Sequence, residues 1–379
     1  MNDIKTYVNQ MIDIKKTILK FIEGKNEPEM DIKDITKFFN DHQIRENKYK
    51  ILSVLNILVR ISCDHHRFPS LFNKIGQIIL DLQNDIKKNL QKEEIFDIFR
   101  KNKRILLLAI ELKLIVVDKF FVEELKQKRK YISDKYDNYF SKEIQLFKHI
   151  KNVNDDNKFD EKRKIGENDN PLCEIIRKDS IKEFLIFVNS NDLQIRNFAL
   201  SMVEPSIFET NRLLLRSSAK IIEYAAFFGS IKIFKCLAKY VKLKPSIWLY
   251  AIHSNSAEMI HLLEEQNVYP PCGNYEECYR EAALCYHDEI LYYFVNNYLM
   301  SSHFDSLFCS VAALKSYNFE FYNSKVIRSY TFSLLCKYNH YDIVKLILNS
   351  NIGFDGFFYE FDISILKKFI EKMLTEQKF

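Results

Sequence analysis

Two stretches in the second half of the chain repeat one another and decide the fold. The first reads IEYAAFFGSIKIFKCL (residues 222–237), and the second reads WLYAIHSNSAEMIHLL (residues 248–263). When Ala225 is set opposite Ala251, 26 residues later, small and apolar residues match along both stretches. A repeat of this length predicts a unit of two helices joined by a turn, stacked on further copies of itself. The same alignment places Trp248 on the inward side of its helix, where we expect it to be buried.

Further copies continue the pattern on both sides of this pair. Downstream the chain reads EAALCYHDEILYYF (281–294), a shortened VAALKSYNFEFY (311–322) and LLCKYNHYDIVKLIL (334–348), and upstream it reads NPLCEIIRKDSIKEFLIFV (170–188). Each hairpin would leave an apolar flank uncovered unless another hairpin stacked on it, so several copies are needed. We expect about six. Whether residues 189–218 hold a degenerate copy stays open.

One position in each copy forms the turn between its two helices. Gly229 ends the first helix of its copy, and Asp179, Asn255 and Asn339 take the same position in other copies. Glycine adopts a positive φ without steric cost, and Asn and Asp tolerate it better than other residues. Tyr286 occupies the position in the copy at 281–294, and we therefore predict an altered turn there.

The part of the chain before the repeats is predicted to be helical but not repetitive. Apolar residues recur there at helical spacing, no strand alternation stands out, and no proline occurs between Pro69 and Pro171. With only 7 Gly and 7 Pro in 379 residues, the chain holds little material for tight hairpins. The sequence thus predicts an all-α protein with a helical N-terminal region (1–150), a polar linker (151–170) and the repeats (171–379).

The copies resemble ankyrin repeats. Residues 170–173, NPLC, match the Thr-Pro-Leu-His opening of that pattern, and the paired alanines of EYAAFFGS (223–230) match its middle. The sequence of the repeats as a whole is similar to a divergent ankyrin type that is found in large protein sets of parasitic protists and catalogued as a domain of unknown function. The resemblance implies an ankyrin-like α-solenoid of helix-turn-helix repeats. We expect helix pairs without the long β-hairpin fingers of regular ankyrin arrays.

The resemblance also implies a function, which is non-enzymatic scaffolding through protein–protein interaction. In ankyrin proteins the partner lies against exposed positions of the first helices. Carried over to this chain, that surface consists of Tyr224, Phe227, Phe228, His253, Ser254, Leu284 and Cys285. Aromatic side chains often dominate such interfaces. The alternative, that the AAFF string packs between repeats instead of binding a partner, stays open.

The charge distribution raises a second functional hypothesis. The chain carries a net charge of +5, and residues 1–165 hold 34 basic against 26 acidic residues, a net charge of +8. The string LKQKRKYISDKYDNYFSKEIQLFKHIK (125–151) interleaves Lys and Arg with aromatic residues. It could bind nucleic acid or an acidic membrane, or form an amphipathic helix with solvated lysines. A substrate adaptor in a larger enzyme complex is a third alternative. We expect other proteins as partners, rather than nucleic acid or a small molecule.

Two strings contain metal-ligand residue types. CDHH (63–66) places four ligand types on adjacent residues that point in different directions, and we interpret it as a solvated helix end. Cys272, Cys278, Cys285 and His287 lack the close Cys pairs of regular zinc sites. Glycine-rich phosphate loops and known catalytic motifs do not occur. The sequence therefore predicts no metal, no cofactor and no enzymatic activity.

Cellular location follows from apolar runs and cysteines. The most apolar run, ILLLAIELKLIVV (105–117), is interrupted by Glu111 and Lys113 and is shorter than the ~20 residues that span a bilayer. Asp and Lys break up the first apolar positions, unlike in a signal peptide. Eight cysteines without such a signal predict a reducing compartment. We expect a cytoplasmic protein without a membrane span, with the nucleus as the alternative.

Overall fold

A computed structural model describes residues 2–24, 29–127, 136, 138–147, 157–191, 193–299, 307–321, 329–338 and 340–349. Within these ranges the regular structure is helical, with 23 α-helices, two short 3-10 turns and no β-strand. A single isolated bridge pairs Met202 with Lys220. The predicted all-α class is confirmed for the described part of the chain.

The helices follow one another with short connections. The first ten are α1 (Asn2–Glu23), α2 (Ile32–Asp41), α3 (Lys48–Asp64), α4 (Leu71–Asp81), α5 (Gln83–Asn89), α6 (Lys92–Phe99), α7 (Lys103–Glu111), α8 (Lys119–Gln127), α9 (Ser141–Phe147) and α10 (Asn157–Ile165). The others are α11 (Pro171–Arg177), α12 (Ile181–Ser190), α13 (Ile195–Leu200), α14 (Arg212–Arg216), α15 (Ile221–Phe227), α16 (Ile231–Ala238), α17 (Ile247–His253), α18 (Ala257–Glu265), α19 (Glu276–Cys285), α20 (Asp288–Tyr298), α21 (Leu307–Ser316), α22 (Ser329–Lys337) and α23 (Tyr341–Asn349).

The chain divides into two compact units that are not consecutive in sequence. The first unit combines residues 1–57 with 291–379, and the second unit comprises residues 58–290. Helices α3 and α20 each cross a boundary between the units. The division that we drew from composition, at residues 151–170, falls inside the second unit.

Part of the segment that we predicted as a polar linker is a helix, α10. Its Arg163 is buried, and the guanidinium donates hydrogen bonds to Glu143 (2.8 Å) and to the Tyr139 carbonyl (3.1 Å). The Tyr139 hydroxyl in turn donates to the Arg163 carbonyl at 2.9 Å. Polar composition was misleading here because Arg163, one charged residue of α10, is buried against α9 and is satisfied by its partners there instead of by water.

Helix pairs build the C-terminal part of the second unit. Helices α11 and α12, α15 and α16, and α17 and α18 form antiparallel pairs, and their first helices pack in the order α11, α15, α17, α19. The residue that ends each first helix has a positive φ: 47° at Asp179, 66° at Gly229 and 53° at Asn255. These three predicted turn positions are confirmed. Asn339 lies outside the described residues.

The altered turn that we predicted at Tyr286 is wrong. Tyr286 has a φ of 57° and ψ of 38°, in the left-handed region used by the other copies. That conformation costs a residue with a side chain about 1 kcal/mol. The Tyr286 side chain is buried, and its packing offsets this conformational cost. Residue preferences alone would not predict a tyrosine in the left-handed region.

Successive pairs are tied together by a hydrogen bond that recurs at one repeat position. In the copies that contain Gly229 and Tyr286, the residue directly after the left-handed turn donates to a carbonyl of the first helix in the preceding pair. Ser230 Oγ donates to the Ile176 carbonyl at 2.5 Å, and His287 Nδ1 donates to the Ile252 carbonyl at 2.8 Å. Each of these carbonyls also accepts the backbone N–H of the turn residue, from Asp179 at 2.9 Å and from Asn255 at 3.2 Å. The side-chain bond therefore uses the second lone pair of the carbonyl and fixes the register between the pairs.

The segment that could have held a degenerate copy contains one helix and a long excursion. Helix α13 packs against α15 and α16. Residues 203–219 then leave the stack and return, closed at their base by hydrogen bonds from Val203 N to the Ala219 carbonyl (2.8 Å) and from Ile221 N to the Ser201 carbonyl (3.0 Å). Helix α14, which lies in this excursion, carries a side chain of the candidate site described below.

The first unit repeats the same turn chemistry. Helix α22 packs against α21 and α23, and α1 packs against α23. His340, which precedes α23, donates from Nε2 to the Leu314 carbonyl at 2.7 Å. The residue equivalent to Ser230 is thus a histidine in this copy too.

The burial predicted for Trp248 is confirmed. Its side chain is fully buried, and Nε1 donates to the Val268 carbonyl at 2.8 Å. The ring also meets Tyr275 edge-on, with centroids 5.4 Å apart.

Candidate functional site

Most of the residues that we predicted as an exposed partner-binding surface are buried. Tyr224, Phe227, His253, Leu284 and Cys285 are buried, and Phe228 and Ser254 are half-buried. Phe227 stacks on the His253 ring with centroids 4.9 Å apart, so equivalent positions of successive copies touch. The Tyr224 hydroxyl accepts a hydrogen bond from Arg177 Nη1 at 2.9 Å. The predicted exposure is wrong because the spacing of the copies brings these faces together.

A buried polar cluster lies instead where the end of α3 meets the repeats, within the second unit. We call it the polar junction. It consists of Asp64, His65, His66, Arg212, His253, Glu281, Cys285 and His287. Asp64 and His65 are completely buried, so the interpretation of CDHH as a solvated helix end is wrong. Two strings that looked unconvincing separately, some 220 residues apart, meet in one place.

Two carboxylates of the polar junction are ionised by their partners. Asp64 accepts from Arg212 Nε at 2.9 Å and from Arg60 Nη1 at 3.1 Å. Burial acts to raise the Asp64 pKa, but the two guanidinium groups outweigh it and hold the pKa below its ordinary value. Glu281 accepts from His253 Nε2 at 2.8 Å and lies 3.7 Å from Arg212 Nη2. Its pKa is also lowered, because these partners outweigh burial.

Cys285, His253 and Glu281 are linked in a row that resembles a catalytic triad of nucleophile, base and orienting carboxylate. Cys285 Sγ lies 3.6 Å from His253 Nδ1, and His253 Nε2 meets Glu281. Burial, together with the charges of Glu281 and Asp64, raises the Cys285 pKa well above its ordinary value, so the sulfur is a thiol. Because Cys285 is fully buried, a substrate has no access to its sulfur in this structure. These three linked residues are better suited to holding α17 and α19 together than to catalysis.

Three imidazoles form the other part of the polar junction. One ring nitrogen from each of His65, His66 and His287 lies within 4.8 Å of the other two. His66 Nδ1 lies 3.2 Å from His287 Nε2, and His65 Nδ1 donates to the Cys285 carbonyl at 2.7 Å. Burial, followed by the neighbouring histidines, lowers the His287 pKa well below its ordinary value, so this imidazole is neutral. We call these three residues the histidine triad.

The remaining cysteines of the second string do not join the polar junction. Cys278 is buried within α19, where burial first of all raises its pKa. Cys272 is exposed and its sulfur faces Glu277 at 3.7 Å. Of the four residues in that string, only Cys285 and His287 belong to groups of three possible metal ligands among the described residues.

The basic string at 125–151 is only partly described. Residues 128–135, 137 and 148–151 lie outside the described residues. In the described part, Phe140 is buried and Lys142 Nζ contacts Asp160 at 2.6 Å. A role in binding nucleic acid or membranes remains a prediction. Among the described helices, none combines the length and apolarity required to cross a bilayer.

Comparison with known proteins adds no relative. The chain matches no protein-family model, no curated protein and no solved structure. Its function must therefore be inferred from the helix pairs and the polar junction themselves.

Proposed function

We propose that the chain is a non-enzymatic scaffold whose ankyrin-like helix pairs bind other proteins. The observation that supports this most is the recurring turn with its hydrogen bond to the neighbouring pair, as in Ser230 to Ile176 and His287 to Ile252. Stacked units of this kind form extended surfaces, and repeat proteins use these surfaces for recognition.

The binding surface in this proposal lies on the loops that follow the second helices. Tyr240 follows α16 and is 49% exposed, and Tyr269 follows α18 and is 79% exposed. Exposed tyrosines on consecutive copies are typical interface anchors, since the ring supplies apolar area and the hydroxyl a hydrogen bond. Among the apolar residues of the repeats, Ile186 of α12 is 56% exposed. These residues replace the buried AAFF string as candidates for partner contact.

Cys285 supports the non-enzymatic part of the proposal. It is the thiol of the polar junction, and its burial and raised pKa both oppose a role as a nucleophile. The ion pairs of Asp64 and Glu281 are those of a structural network.

Affinity purification from the source cell, followed by binding measurements with the purified partner, tests this proposal. A double variant, Tyr240→Ser with Tyr269→Ser, should bind the partner at least about tenfold more weakly, as expected for loss of interface anchors. The matched control changes two apolar residues of the N-terminal part of the chain with comparable exposure, Leu80→Ser with Val116→Ser. Wild-type affinity in the double variant, or recovery of no protein beyond the bait, would contradict the proposal.

A further inference from the structure

The histidine triad has a geometry that goes beyond a scaffold role. His65 and His66 follow α3, and His287 follows the left-handed turn at the end of α19, so rigid helix ends hold all three imidazoles. Ring centroids are 4.2 Å apart for His65 and His66, 5.0 Å for His65 and His287, and 5.3 Å for His66 and His287. All three residues belong to the second unit.

Backbone carbonyls select which nitrogen of two of these rings carries the proton. A carbonyl only accepts, so His65 Nδ1 and His287 Nδ1 must both be protonated to bond the Cys285 and Ile252 carbonyls. In the neutral ring the lone pair is then on Nε2. A hydrogen bond from the outer nitrogen to a carbonyl is the usual second layer around a metal-binding histidine, because it fixes the tautomer and the ring orientation.

The separation of the two closest nitrogens matches a tetrahedral metal site. His66 Nδ1 and His287 Nε2 are 3.2 Å apart. Two nitrogens at about 2.05 Å from a tetrahedral zinc ion are about 3.3 Å apart. In the metal-free protein the His66 proton bridges these nitrogens. A metal ion would take its place if that proton moved to His66 Nε2.

We propose that His65, His66 and His287 bind a divalent transition-metal ion, with zinc as the favoured ion. Neutral imidazoles suit Zn²⁺, Co²⁺, Ni²⁺ and Cu²⁺, whereas Mg²⁺ and Ca²⁺ require oxygen ligands. His65 and His287 are buried and His66 is half-buried. The half-buried ring gives the ion a way in and leaves the fourth position to water or to a side chain of a bound partner.

The neighbouring group of His253, Glu281 and Cys285 is a weaker candidate for the same ion. His253 Nε2 meets the Glu281 carboxylate at 2.8 Å, and its Nδ1 lies 3.6 Å from the Cys285 sulfur. Glu281 is also neutralised by Arg212. A metal there would have to displace an ion pair and deprotonate a buried thiol, which the histidine triad does not require.

Zinc titration of the full chain, by calorimetry with a competing chelator, tests the proposal. We expect one equivalent to bind to the wild type and His66→Ala to weaken that affinity more than about a hundredfold, since even second-layer changes cost ten- to a hundredfold. The matched control is His261→Ala, which removes an exposed histidine that pairs with Glu264. It should bind as the wild type does, and circular dichroism checks that each variant is folded.

Cobalt in place of zinc supplies a spectroscopic readout of which atoms bind the metal ion. Four-coordinate Co²⁺ with imidazole ligands gives visible absorption bands without the intense near-ultraviolet band of a thiolate ligand. The Cys285→Ser variant should therefore bind Co²⁺ as the wild type does. A thiolate band that disappears in Cys285→Ser, equal zinc affinity in His66→Ala and the wild type, or binding of no zinc at all would each overturn the proposal.

Discussion

His287 and His340 stand at the same repeat position and differ in what surrounds them. Each follows the turn of its copy and donates to a carbonyl of the preceding one, His287 to Ile252 and His340 to Leu314. His287 uses Nδ1 for this bond and turns Nε2 toward His66. His340 uses Nε2, and its buried Nδ1 has no hydrogen-bond partner in the described structure.

The difference teaches that one structural bond leaves a second nitrogen available for another use. In His340 the second nitrogen is Nδ1. The His340 ring packs against the rings of Tyr317 and Phe319, at centroid distances of 4.4 and 5.3 Å. Around His287 the second nitrogen meets two further imidazoles and lies near buried charges. The repeat supplies the same scaffold at both places, and the contacts of the second nitrogen decide whether a site can form.

The largest expected effect comes from breaking the buried charges around His287. Arg212→Met leaves Asp64 with one guanidinium partner instead of two and removes a cation from Glu281. Loss of one partner from a buried ion pair should lower the free energy of unfolding by about 3–5 kcal/mol. Urea unfolding measures it. Lys235→Met, which breaks the exposed pair with Glu258, is the matched control and should cost less than about 1 kcal/mol. Equal effects of both changes would show that the polar junction does not stabilise the fold.

The second expected effect is a pH dependence of the free energy of unfolding that comes from His340. Burial lowers the His340 pKa from 6.5 to about 4, so the ring stays neutral in the folded chain while the unfolded chain takes up a proton below pH 6.5. Stability from this group is therefore complete above pH 6.5 and is lost as the pH falls toward 4, by about 3 kcal/mol.

The variant His340→Gln keeps an amide donor for the Leu314 carbonyl and cannot be protonated. Its free energy of unfolding should fall less steeply than that of the wild type between pH 6.5 and 4, as measured by urea unfolding at each pH. Parallel pH profiles for the two proteins would contradict the burial of a neutral His340.

The sequence predicted the scaffold better than the site, and particular residues show why. Ala225, a small residue, and Gly229, a turn residue, are local signals. Each predicts the helix pair from the sequence of one copy of the repeat alone. Tyr286 misled because its packing, which involves distant residues, outweighs its local preference against a left-handed turn. Likewise, Arg163 made α10 look like a linker until its partners in α9 were known.

The polar junction depends on contacts that no local pattern encodes. His65 and Cys285 are 220 residues apart, and each lies in a string whose spacing alone does not suggest a metal site. Arg212 and Glu281 were not singled out at all, since single charged residues on helices are usually solvated. One signal was present, because the repeat alignment places His287 where Ser230 stands, at the interface between copies.

The smallest expected effect comes from the serine version of the shared bond. Ser230→Ala removes the donor to the Ile176 carbonyl from a buried position and should cost about 1–2 kcal/mol. Ser201→Ala, at an exposed serine that bonds only locally to Phe198, should change the unfolding free energy by less than about 0.5 kcal/mol. If Ser230→Ala behaves like this control, the bond does not stabilise the stack.

The most direct test of the comparison is to determine the tautomer of each ring by nitrogen NMR, with ¹⁵N-labelled histidine in the metal-free chain at neutral pH. The chain has nine histidines, and His287→Gln and His340→Gln variants assign the two signals. The structure predicts a proton on Nδ1 of His287 and on Nε2 of His340, because each bonds a carbonyl through that atom. A proton on Nε2 of His287 would contradict both the shared stacking bond and the lone pair that the proposed metal site requires.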